Sequence, residues 1–149
     1  MNYIANSTNW LVAVTAMVIA TLCVALHYEA LSLCNRNLAR VSQRRRPRVV
    51  ILIFVVLLVH IAEIWLFGTG YWLLLTNPDV GTLEGLASQG LPEYVYFSAM
   101  TYTTVGVGDV FAIGPIRFLA GMEALTGFVM ITWSASYTFL EMQRDWRPS

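Results

Sequence analysis

Three apolar runs limit what this chain can become. Trp10 to Leu26 holds no charged residue and continues to about Leu33 across His27 and Glu29. Val49 to Leu75 has only His60 and Glu63 as ionisable groups, and Ile116 to about Leu140 has Arg117 at its start and Glu123 inside. A helix needs about 20 mostly apolar residues to cross the hydrocarbon core, and each run is long enough. A soluble domain would have to cover all three with polar chain, yet 57% of the residues are hydrophobic and only 12% charged, far from the usual soluble balance. The expected fold is an all-α membrane protein: one membrane domain over residues 1–149 with transmembrane helices over 10–33, 49–75 and 115–141.

Charge placement sets the direction of these spans. Six of the nine Arg, Arg36, Arg40, Arg44, Arg45, Arg46 and Arg48, lie between the first two runs. Short Arg-rich loops remain in the cytoplasm, so 34–48 is expected inside, with the amino terminus outside and the carboxyl terminus cytoplasmic. The cluster Arg44, Arg45, Arg46 and Arg48 is also a candidate site for anionic lipid head groups. The first span lacks the repeated Arg of a voltage sensor. A net charge of zero offers no footprint for a nucleic acid, and none is expected as a partner. Cys23 and Cys34 suggest neither a disulfide nor a metal site.

Between the second and third runs the chain changes character. Asn77-Pro78-Asp79, Gly81, Gly85 and Gly90 are turn formers, which make 76–91 an extracellular turret. Pro92-Glu93 then reads as a helix start, because the first turn needs no amide donor and favours negative charge. The helix over 92–103 is about 18 Å long at 1.5 Å per residue, too short to span. A short helix, a glycine-containing strand, a turn at Gly114-Pro115 and a full span together describe a re-entrant loop. Such backbone is tolerated at membrane depth only where it is covered by protein or lines water.

The strand 104–109 carries the chemistry. A cation crosses a membrane without its water only if the protein presents oxygens in its place, and backbone carbonyls do so without a full charge that would trap the ion. Aiming successive carbonyls one way demands alternating backbone angles that L-residues resist, and Gly106 and Gly108 relieve that. The Thr104 hydroxyl can add a further oxygen. The short helix points the negative end of its dipole at the space below the strand.

The stretch Tyr96 to about Phe139 resembles the pore domain of the tetrameric potassium channel superfamily. It has a pore helix, the signature Thr103-Thr104-Val105-Gly106-Val107-Gly108-Asp109 and an inner helix with a central glycine. The resemblance implies a homotetramer that binds K+ at Thr104, Val105, Gly106 and Val107, with Gly108 at the outer mouth. By the same resemblance, Thr103 and Asp109 support the filter, and Gly127 is the residue at which the inner helix bends. The usual aromatic of the signature is Val107 here, which removes a brace behind the filter. The function expected is passive, potassium-selective conduction in a cell membrane of bacterial type. The alternatives are a channel passing Na+ and K+ alike, or a pore-loop subunit of a potassium uptake transporter. The latter usually carries four loops and a single filter glycine in each. No cofactor besides bound K+ is expected. No nucleophile with its base, phosphate loop or complete metal set suggests an enzyme.

Spacing assigns two further groups. Ile131, Ala135, Thr138 and Phe139 follow Gly127 at three-to-four intervals and are expected to line the inner cavity. His60 and Glu63 share a face of the second span, and Glu123 falls at a similar depth. The three are expected to form one hydrogen-bonded cluster locking the helices to the pore helix and supporting the filter. A proton site or a metal site is the alternative, the latter lacking further ligands.

Overall fold

The computed structural model describes residues 7–41 and 45–146. Helix α1 (Ser7–Val41) and helix α2 (Arg45–Leu74) take in most of what the sequence suggested was a loop over 34–48. Pro47 falls in the first turn of α2, where its missing N–H costs nothing. Helix α3 (Leu91–Tyr102) and helix α4 (Arg117–Trp146) follow. Portions of α1, α2 and α4, spanning 7–36, 48–74 and 117–144, are long and apolar enough to cross a membrane.

The turret is more ordered than its turn formers suggested. After a single 3-10 turn at Pro78–Val80, strand β1 (Thr82–Glu84) pairs antiparallel with strand β2 (Phe111–Ile113), with Thr82 opposite Ile113 and Glu84 opposite Phe111. Strands of three residues give no periodic signal to read. This ladder closes the neck of the loop over 85–110, which contains α3 and the segment after it. Gly81 makes the closure possible: its φ is 117°, and a Cβ there would lie 2.0 Å from the Ile113 carbonyl oxygen. A further bond from Ile116 N–H to the Val80 carbonyl, 2.9 Å, ties the start of α4 to the same neck.

Helix α3 starts at Gly90, with Pro92 and Glu93 in its first turn, and runs for 12 residues. It packs between α2 and α4 at glycines. A Cβ on Gly68 would come within 2.9 Å of the Val95 Cα, and one on Gly127 within 2.0 Å of the Tyr102 carbonyl oxygen. Helix α1 packs along α2 and α4 through Val12, Ala16, Ile19 and Cys23, four buried positions at helical spacing. Cys23 and Cys34 are both free.

Candidate functional site: the 103–109 segment and its buried supports

The segment after α3 combines exposure with alternating backbone handedness. Thr104, Gly106 and Gly108 have φ of 59°, 54° and 85°. The left-handed region costs an L-residue about 1–2 kcal/mol, so the two glycines relax the strand and Thr104 stores strain at its inner end. From sequence alone, this conformation is expected only of the glycines. Extending their alternation one step back would have found Thr104. Residues 103–109 are exposed in the single chain, with Val105 at 65% and Val107 at 62%. The strand is held from behind: Gly106 N–H donates to the Met100 carbonyl at 3.1 Å. At the outer end, Tyr96 Oη donates to Asp109 Oδ2 at 2.7 Å, a bond that raises the Tyr96 pKa above its ordinary value by favouring the protonated phenol. Thr103 turns its hydroxyl back onto the Ala99 carbonyl at 2.7 Å. Between α3 and the filter lies a void of about 30 Å³, lined in part by Tyr96, Phe97, Met100 and Val107.

Behind this segment, the single buried cluster expected of His60, Glu63 and Glu123 is in fact two. Glu123 bonds to Ser98 of α3 and accepts from Tyr71 Oη at 2.5 Å. Ser98 Oγ also reaches the Ile64 carbonyl at 2.8 Å. Glu63 belongs to a separate network. Its Oε1 lies 3.0 Å from His27 Nδ1 and its Oε2 3.1 Å from His60 Nδ1, and Tyr102 donates to Oε2. His27 Nε2 lies 3.0 Å from Ser134 Oγ on α4. The physical reason for the split is that Ser98 and Tyr102 stand one turn apart on the same face of α3, so each carboxylate meets a different turn of that helix. Ser98 near its middle engages one and Tyr102 at its end the other. In the sequence His27 only interrupts an apolar run, yet a lone imidazole among apolar residues itself calls for a partner. Nothing in the sequence singled out Tyr102, Tyr71 or Ser98.

On α4, Ile131, Ala135, Thr138 and Phe139 share one face and, with Ile53 and Val56 of α2, line a cleft of about 330 Å³. The helix runs unbroken through Gly127. In this conformation the glycine is required by the close approach of Tyr102 rather than by a bend. At the other end of the bundle from the filter, Glu141 Oε2 pairs with Arg48 Nη2 at 2.9 Å and its Oε1 with Arg144 Nη1 at 2.7 Å. Arg48 thus pairs within the protein and keeps part of its side chain exposed. Arg44 lies outside the described residues, as do the side chains of Arg45 and Arg46.

Residues 49–144 match the family described as Ion channel. No curated protein and no solved structure gives a significant match.

Proposed function

Because the chain belongs to this ion-channel family, we propose that it conducts K+ passively across a cell membrane as one subunit of a cyclic homotetramer. Each subunit contributes one filter segment, and four segments around an axis make rings of carbonyls from Thr104, Val105, Gly106 and Val107, with the Thr104 hydroxyls as the innermost ring. The observation that carries this reading is the alternation of positive φ at Thr104, Gly106 and Gly108 in an exposed strand pinned to a short helix. Alternating handedness lets successive carbonyls turn toward one side. The high exposure of Val105 and Val107 in the single chain is relieved once neighbouring copies pack around the filter. In this reading the amino terminus is outside and the Arg-rich connection between α1 and α2 is cytoplasmic. Arg44, Arg45 and Arg46 there bind anionic lipid.

A second reading, a pore passing Na+ as well as K+, is favoured by the void beside Val107, where an aromatic ring would have filled space and stiffened the strand. The ring count does not depend on that side chain, so potassium preference is expected to survive. Purified protein in liposomes is expected to run at the mass of four copies. Its reversal potential should follow the K+ gradient by about 60 mV per tenfold. A potential that stays near zero when Na+ replaces K+ on one side establishes the non-selective pore instead.

A further inference from the structure

We propose that His27, His60 and Glu63 form a binding site for a transition-metal dication of the Zn2+ class, separate from the filter in place and in chemistry. The donors come from α1 and from one face of α2, and one ligand atom from each lies within 4.8 Å of the others. The two imidazole Nδ1 atoms already face the two carboxylate oxygens, at 3.0 and 3.1 Å. Zn2+ holds nitrogen and oxygen at about 2.0–2.1 Å in a tetrahedron, which puts neighbouring ligand atoms about 3.3 Å apart. Seating the ion therefore requires side-chain shifts of about an ångström and no movement of helices. Two imidazoles and a carboxylate suit Zn2+ and its neighbours, whereas K+ and Mg2+ prefer all-oxygen sites.

The surroundings complete the arrangement. Tyr102 Oη, bonded to Glu63 Oε2 and 2.9 Å from His60 Nδ1, can take the fourth position or orient the carboxylate. With the metal on Nδ1, each ring carries its hydrogen on Nε2. The Nε2–H of His27 then donates to Ser134 Oγ, already 3.0 Å away, which fixes the ring as outer partners of metal-bound histidines do. Entry is through His60, the one donor with measurable exposure at 15%. It borders the cleft between α2 and α4 together with Ser134, Ile131 and Ala135. Because Tyr102 ends α3 two positions before Thr104, a bound ion would tie the base of the filter to α1 and α2. That consequence for conduction rests on the channel reading, while the binding does not.

The test uses the purified full-length protein in detergent, equilibrated with Zn2+ alone, then dialysed and analysed for metal. Co2+ serves as a spectroscopic substitute. The expected result is one Zn2+ per chain and the visible absorption of four-coordinate Co2+. Both should be lost in His27→Gln and His60→Gln and unchanged in Asp79→Asn. Ser134→Ala should bind about tenfold more weakly. Wild-type protein that holds no stoichiometric Zn2+ overturns the site without reference to any variant, as does retention of tight binding in both histidine variants. Zn2+ binding without ion flux would leave the site standing and sink the channel reading. Ion flux without Zn2+ binding would do the reverse.

Discussion

At the scale of single residues, the buried Glu123 carboxyl is constrained by hydrogen counting. Ser98 has one hydroxyl hydrogen but lies within bonding distance of both the Ile64 carbonyl and Glu123 Oε1. Both bonds close if the Glu123 carboxyl carries a proton and donates to Ser98, while Tyr71 donates to Oε2. A neutral carboxyl also avoids burying a charge among membrane helices. Glu123→Gln, whose amide can donate to Ser98 and accept from Tyr71, is therefore expected to unfold within about 1 kcal/mol of wild type. Glu123→Ala leaves the buried Tyr71 hydroxyl without an acceptor, at about 1–3 kcal/mol, while Ser98 keeps its bond to the Ile64 carbonyl. Denaturant unfolding in detergent measures both; a Gln variant as unstable as the Ala variant would show that the ionised carboxylate is what the site requires. The presence of costly groups at 63 and 123 was legible in the sequence because an ionisable residue inside an apolar run stands out. Their separation was not legible, since the partners Ser98, Tyr71 and Tyr102 are ordinary residues of a short helix and acquire meaning only from where α3 passes.

At the scale of elements, the long helices and the short one could be read from apolar length and from Pro92-Glu93, whereas the strands could not. Three-residue strands are made by the pairing itself: Gly81 and the Thr82–Ile113 register join positions about 30 apart in sequence, beyond the reach of local pattern. The glycines of α4 divide by the same test of close approach. Gly127 lets the helix approach the end of α3, where a Cβ would meet a backbone oxygen at 2.0 Å, and Gly121 has nothing within 4 Å. Alanine improves helix propensity by about 1 kcal/mol at either position, but at 127 a backbone clash costs about 1–3 kcal/mol and outweighs it. Gly127→Ala should therefore destabilise the protein and displace Tyr102, with Gly121→Ala slightly stabilising. Thermal unfolding of the two variants should show shifts of opposite sign, and a loss at 121 would reveal a neighbouring copy packed against that face.

At the scale of the whole molecule, α4 exposes apolar residues on more than one face of the single chain. Its exposed residues include Phe128 and Val129 as well as Ile131, Ala135 and Phe139, so exposure alone does not tell which face meets water. The cleft does distinguish them: Ile131, Ala135, Thr138 and Phe139 line it, and Phe128 and Val129 do not. The native thiols make the test clean, because Cys23 is 0% exposed and Cys34 only 6%, so a water-soluble thiol reagent should meet little background. Ile131→Cys or Ala135→Cys is expected to react with such a reagent applied from the cytoplasmic side and to lose K+ flux as the adduct fills the path. Phe128→Cys and Val129→Cys should react slowly, since a charged reagent partitions poorly into lipid. Fast modification at 128 and 129 with neither 131 nor 135 reactive would rotate the pore-facing side of α4 and remove these residues from the inner cavity, while leaving the filter at Thr104 to Gly108 untouched.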